Sequence, residues 1–484
     1  MQMINIHINR KKDKNMKKLT MAKILTALLL TATLTAGCVG NYAKQETTTA
    51  PAPATTPAPA TTQAPATTPA QPAGETTKAP ESTAATLPDL KGTSLEVWYA
   101  VSGTSGELFS QMSDSFAKQT GATLNLSYSG GSGDTATKVS AALLTNTQPD
   151  VALMYAGPLY TGGQGDYSIN ELLDKGEGVD KNDIFPGMLS YCTYMGDGVC
   201  AVPFGISTQV MYYNKDILKA AGVDMTNPPK TWAEFYTVLG TVMEKGNINN
   251  TADFTAFDTN DEAWLFKSML MQNGCEIVEN ESGHIKAIFN NEQAVQVADY
   301  WHSLVEAGYM AAGEHNNAEN KFLSGNLAFV AASSNRITRW SGTTSFELGA
   351  IEMPYFTQPS LALGGNVIVI LTRDPAKVAA AWQYISYLTN VENNTAFALG
   401  TGYLPIHKSA LEQEAVKKAI AENEMYGVAF KQLDYTWAYT HFEQMGTMDV
   451  QIKSMLTKLE KGRGGSQDLL NKAVDTLQKE IDDN

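Results

Sequence analysis

The sequence predicts an α/β protein built as two lobes. Between Leu95 and Met154, strand-like and helix-like segments alternate at the spacing of a parallel sheet with crossover helices. The alternation continues beyond residue 200. The roughly 390 residues of folded sequence also exceed what one hydrophobic core usually serves. Leu95-Glu96-Val97-Trp98-Tyr99 alternates as a strand does. A helix follows over Gly106–Gln119, with Leu108, Phe109, Met112 and Phe116 on one face. Then come a strand at Thr123–Tyr128, a turn at Ser129–Gly133, a helix at Asp134–Leu144 and a buried strand at Asp150–Met154. The last leads into a Gly-rich stretch, Tyr155–Gly165. Further strands fall at Val210–Asn214, Ala287–Phe289 (an edge) and Leu327–Ala331, with helices at Trp232–Lys245, Glu262–Gln272 and Asn291–Ala307. The last hundred residues read as mainly helical.

Charge and cysteine usage narrow the function classes. Residues 1–38 hold seven of the 35 Lys and Arg and one of the 50 Asp and Glu, which leaves 28 basic against 49 acidic side chains, a net −21. So acidic a surface repels phosphate backbones and excludes nucleic acid as a partner. It equally disfavours a peripheral seat on anionic lipid. The six histidines are scattered and no CxxC or HExxH pattern exists, so neither a metal nor another cofactor is expected. Cys192 and Cys200 bracket a Gly-Asp-Gly turn and face each other if it forms a hairpin. The pair is compatible with a disulfide, which would contribute ~2 kcal/mol, or with two buried thiols.

The N-terminus carries an export signal. Met16-Lys17-Lys18 and Lys23 precede the short apolar run Ile24–Leu30, too short to span a membrane comfortably. Leu34-Thr35-Ala36-Gly37-Cys38 then resembles the lipobox of secreted lipoproteins, with Thr35 where leucine is commoner. That resemblance implies cleavage before Cys38, lipidation of its thiol and a protein held at the outer face of the cytoplasmic membrane. From residue 39 to about 90 the chain cycles through Thr, Ala and Pro and buries too little apolar surface to fold. At about 3.1 Å per residue, an extended stalk of this length reaches on the order of 150 Å. Such a spacer suits a cell without an outer membrane. The solute-facing domain is thus expected over 91–484.

The run Pro203-Phe204-Gly205-Ile206-Ser207-Thr208-Gln209-Val210-Met211-Tyr212-Tyr213-Asn214-Lys215-Asp216-Ile217-Leu218, followed by Pro228-Pro229-Lys230-Thr231-Trp232, closely resembles the extracellular solute-binding proteins of ABC importers. The branch is the one that binds sugars and glycerol 3-phosphate. Phe322–Ala328, Ser333-Ser334, Gly364-Gly365-Asn366 and Thr401-Gly402-Tyr403-Leu404-Pro405-Ile406 match in family order, and the likeness runs from about Leu95 to the C-terminus.

The resemblance implies a two-lobed periplasmic-binding-protein-like fold of type II, with a cleft that closes over the solute. Lobe one is expected over 91–203 plus 335–385, and lobe two over 207–332 plus 390–484. It also implies that Ser207, Trp232, Ser333 or Ser334, Gly364, Gly365 and Tyr403 sit at or near the ligand. Trp232 fits equally as the packed first residue of its helix. Loops after strands add Ser102, Thr104, Glu107 and Ser132, whose hydroxyls and amides suit ligand oxygens but also serve as plain turns and caps. Trp264 behind Asp261 resembles the aromatic platform that sugar binders place under a pyranose ring, and is also a possible core anchor.

Two departures bear on the ligand. The arginine that grips phosphate in the glycerol-phosphate branch is missing from Phe442-Glu443-Gln444-Met445-Gly446, and an acidic residue and a tyrosine of the first lobe are replaced near Ala156 and Ser132. Arg336 and Arg339 could instead supply charge. A neutral sugar or oligosaccharide is therefore expected ahead of a glycerol phosphate. The expected protein is a monomeric receptor that delivers solute to an ABC permease. Two alternatives compete: a surface glycoside-active enzyme using Glu107 with Asp261 or Glu262, and a sensory or adhesive receptor on the same fold.

Overall fold

The computed structural model describes residues 87–156, 169–175, 178–194, 198–437 and 441–483. The export signal with Cys38, the stalk to residue 86, most of the Gly-rich stretch and the tip of the Cys192–Cys200 hairpin lie outside the described residues.

Strand β1 (Ser94–Tyr99), helix α1 (Gly103–Thr120), strand β2 (Thr123–Tyr128), helix α2 (Ser132–Thr145) and strand β3 (Val151–Tyr155) succeed one another as the sequence pattern requires. Helix α1 starts a turn earlier than Gly106 and buries Phe109 and Phe116 completely. The chain then reaches β4 (Val202–Ser207), passes through buried Thr208 and enters β5 (Gln209–Asn214). There follow α3 (Trp232–Lys245), β6 (Thr255–Thr259), α4 (Glu262–Gln272), α5 (Glu292–Glu306), β7 (Leu327–Ser333), α6 (Arg336–Trp340) and β8 (Leu348–Ile351). The remainder comprises β9 (Gly364–Ile370), α7 (Pro375–Thr389), α8 (Val391–Thr401), α9 (Met445–Glu460) and α10 (Ser466–Asp482), with shorter elements between. Local chemistry sets the ends. Thr231 and Glu234 close a reciprocal capping box at the start of α3, and Asn291 caps α5.

Two large sheets result, and both are mixed. The first runs β2-β1-β3-β9-β4, with β1 parallel to β2 and β3 but β9 antiparallel to both of its neighbours. The second runs β8-β5-β7-β6, where only the β7–β6 pair is parallel. The expectation of parallel sheets holds for the βαβ start. It fails where strands arrive from the other lobe instead of through a local crossover helix. The edge strand expected at Ala287–Phe289 is instead His284–Ala287, paired with Val278–Glu281 in a separate hairpin.

Buried apolar side chains form one cluster around the first sheet and another around the second. Their membership bears on the expected lobe boundary. Phe397, Ile406, Val416 and Phe430 share the first cluster with Leu95 and Phe204, although 391–433 was expected with lobe two, and Val210, Tyr212 and Val330 of the second sheet turn one face to the same cluster. β8, expected in lobe one, pairs with β5 in the second sheet. An amphipathic helix announces that it covers a sheet but not which sheet. Helices α9 and α10 do cover the second.

The Cys192–Cys200 hairpin forms as read. Thr193 pairs with Val199, and the Cys200 amide donates to the Cys192 carbonyl at 2.9 Å. The two cysteines are buried thiols with no disulfide between them, and burial pushes the Cys192 thiol well above its usual range.

Candidate functional site

Strand ends and helix starts from both lobes converge on a cavity of about 270 Å³. From the first lobe come Ser207 at the end of β4, Gly364, Gly365 and Asn366 at the start of β9, Tyr155 at the end of β3, Ser132 at the start of α2, and Tyr403. The second lobe supplies Asp261 and Trp264 at the start of α4, Lys267 one turn further on, Ser333 at the end of β7 and Asp449 on α9.

Several of these side chains are held by their neighbours. Asp261 caps α4 by accepting the Trp264 amide at 3.3 Å, and Lys453 lies 3.5 Å from its carboxylate. The Trp264 indole donates to the Ala362 carbonyl at 2.9 Å, which fixes the ring plane. That ring lies directly over Gly364, where a Cβ would come within 2.9 Å of it. Tyr403 stacks on Phe397 at a ring separation of 5.9 Å and 10°, and Phe397 rests in turn on Phe204, so its hydroxyl is presented from the first-lobe core. The Asn366 amide donates to that hydroxyl at 3.4 Å, while the buried Asn366 Oδ1 has no partner among the described residues. An orphaned acceptor beside a cavity costs free energy until a ligand donor meets it.

The electrostatics combine cation and anion. Lys267 is almost fully buried and donates to Asp449 at 2.6 Å. Burial works to lower its pKa, yet Asp449, Tyr155 and Asp261 outweigh that and hold it above the usual lysine value. Burial first, and the Lys267 charge second, push His441 down to about 3, which leaves its imidazole neutral. Burial keeps the Tyr403 phenol protonated over a wider pH range than usual, although Asn335, Arg336 and Asn366 pull the other way. The site therefore offers hydroxyl donors, carboxylate acceptors, one ammonium and an indole face.

Most residues singled out in the sequence meet here, but not all. Ser132, Ser207, Asp261, Trp264, Ser333, Gly364, Gly365 and Tyr403 line this cavity. Ser102 and Thr104 line a wider adjoining cavity of about 730 Å³, which shares Asn335 and Tyr403 with the first. Three lie elsewhere. Trp232 is sealed in the second core, its indole donating to Gln272 at 2.7 Å among Phe235, Phe257 and Tyr300. Ser334 is fully buried beneath the surface and its carbonyl accepts from Tyr212. Glu107 is exposed on α1 and lines neither cavity, so the carboxylate pair nominated for glycoside cleavage is not assembled. Sequence reasoning missed Lys267, Asp449, Asn335, Asn366 and Tyr155. A lone lysine amid Leu265, Phe266, Met269 and Leu270 was a readable signal, because a charge in an apolar helix face needs a partner.

Arg336 and Arg339 both turn to Glu319. Arg336 makes two bonds to one oxygen at 3.1 and 3.0 Å and a third to Asn335 at 2.8 Å, while Arg339 approaches the other oxygen at 3.3 Å.

Two mixed α/β lobes with a polar, indole-floored cavity between their sheets define a solute receptor. The chain belongs to the bacterial extracellular solute-binding protein family, whose profile matches residues 111–423. It is 25% identical over 321 residues to the sn-glycerol-3-phosphate-binding periplasmic protein UgpB of Salmonella typhimurium, covering 62% of this chain and 72% of that one. Solved structures share the fold. The cyclic alpha-maltosyl-1,6-maltose binding protein of Arthrobacter globiformis superposes with a TM-score of 0.69 at 20% identity, over 81% of this chain and all of that one. UgpB of Mycobacterium tuberculosis, solved with glycerophosphocholine, gives 0.68 at 23% identity over 80% and 98%. No helix among the described residues is long and apolar enough to cross a membrane.

Proposed function

We propose that the protein captures a carbohydrate-type solute in the cavity between its lobes and delivers it to an ABC permease. The observation that carries the reading is the Trp264 face, fixed over Gly364 and flanked by Asp261, Lys267 and Asp449. An aromatic plane beside paired charges suits the apolar face and equatorial hydroxyls of a sugar ring. Ser207, Asn366 and Tyr403 would take hydroxyls from the opposite lobe. A ligand touching both lobes stabilises the closed arrangement over the open one, which is a population shift in favour of the state a permease would read. The lipobox-like stretch ending in Cys38 and the Thr/Ala/Pro-rich spacer support a lipid-anchored protein outside the cytoplasmic membrane. Capture is preferred to turnover because Glu107 stands apart from the cavity and Asp449 is engaged by Lys267.

A thermal-shift panel of mono-, di- and oligosaccharides and glycerol phosphates tests this. A ligand specific to the folded state adds about 2.7 kcal/mol of stability at a hundredfold excess over Kd. With the saccharide that responds, Trp264→Ala should weaken binding by about tenfold or more, since the stack is lost with its buried area. Tyr403→Phe removes one hydrogen bond and should cost about threefold to tenfold. Tyr403→Phe should unfold at nearly the wild-type denaturant midpoint, while Trp264→Ala, which gives up packing on the second core, should unfold earlier but remain folded in buffer. Unchanged affinity in both would remove the cavity from consideration.

A further inference from the structure

We infer that the solute carries an anionic group, a carboxylate or a phosphate, on the part that extends past Tyr403 into the wider cavity. This rests on the carbohydrate reading above and adds the charge of the ligand. Asn335 and Tyr403 are common to both cavities, so a ligand on Trp264 longer than one ring continues towards Arg336 and Arg339.

The two compartments differ in charge. Around Trp264, the carboxylates Asp449 and Asp261 are balanced by Lys267 and by Lys453. The wider cavity is lined by two guanidinium groups and by no carboxylate. Glu319, outside that lining, is the shared counter-ion of both arginines, and one carboxylate leaves a net positive charge. Arg336 commits three of its donors to Glu319 and Asn335, which fixes its guanidinium and leaves two of its five N–H groups for other acceptors. Arg339 is 64% exposed with one contact to Glu319, so it can swing onto a ligand at small cost. In a chain whose exported part is so acidic, a cavity with this sign is the place where an anion gains most. The hydroxyls of Ser102, Thr104 and Thr338 supply neutral donors beside the arginines.

Titration calorimetry of the purified full chain against matched pairs tests the inference: neutral disaccharides, the same sugars oxidised to uronic acids, and their phosphate monoesters. The acidic member of a pair should bind about tenfold or more tightly than the neutral one. Arg339→Gln, at an exposed position whose one ion pair is with Glu319, should erase most of that advantage, with its affinity for the neutral sugar measured alongside. Raising sodium chloride from about 0.05 to 0.5 M should shrink the advantage as well. Uronates binding alone, or phosphates alone, would support the inference and name the anion. Equal or tighter binding of the neutral partner, with Arg339→Gln silent, would overturn it and leave the carbohydrate reading intact. Binding by no saccharide of either kind would overturn both.

Discussion

His315→Gln should lower folding stability by about 3–5 kcal/mol, the usual consequence of removing one partner from a buried ionic network. His315 joins two buried carboxylates. Its Nδ1 lies 2.6 Å from Asp258 at the end of β6, and its Nε2 lies 2.9 Å from Glu460 at the end of α9. Glu460 is further held by the Trp301 indole at 2.8 Å and the Gly313 amide at 2.8 Å. Burial opposes the imidazolium, but the two carboxylates prevail and raise its pKa to about 10. The sign follows. A folded pKa above the usual 6.5 means that the stabilisation is complete below pH 6.5 and disappears as pH rises through 10. Denaturant titrations at pH 6 and pH 10 should show the wild type losing far more stability across that interval than His315→Gln. Parallel losses in the two proteins would show that His315 is not the titrating group. The clamp has functional weight as well, since β6 leads into Asp261 and α9 carries Asp449.

Gly365→Ala should be comparably damaging, at about 3 kcal/mol or more. Gly365 has φ +113°, and a Cβ there would stand 2.1 Å from the Gly205 carbonyl and 3.0 Å from the Ile206 Cα. Those atoms are backbone of the neighbouring strand and cannot rotate away. β4 and β9 would have to part at the point where their register already shifts, between Asn366 and Val367. Gly364 beneath Trp264 and Asn366 beneath Tyr403 would move with them, so ligand affinity should fall together with the denaturant midpoint. A variant with wild-type stability would show that the strands separate there at little cost.

Much of this arrangement was legible before any coordinates. Periodicity located α3, α5 and the βαβ start because their caps and apolar faces are local properties. The expected site residues that line the cavity, such as Ser207, Gly364 and Tyr403, sit in short polar runs at strand and helix ends, where a packed core has no use for them. What escaped depends on contacts distant in sequence. Asp449 enters the cavity only because α9 folds back onto α4, 182 positions earlier. The packing of α8 on the first core depends on Phe397 meeting Phe204, which no local pattern encodes. Of the two readings of Trp232, the packed one holds, because a tryptophan at a helix start has the same appearance whether it faces a ligand or Gln272.

The most direct test of the central claim is a crystal structure of the protein with whichever saccharide raises its melting temperature most. The account predicts a sugar ring lying on Trp264, its hydroxyls shared between Asp261 or Asp449 on one lobe and Asn366 or Tyr403 on the other. A saccharide bound outside the space between the two sheets, with Trp264 and Tyr403 uncovered, would contradict it.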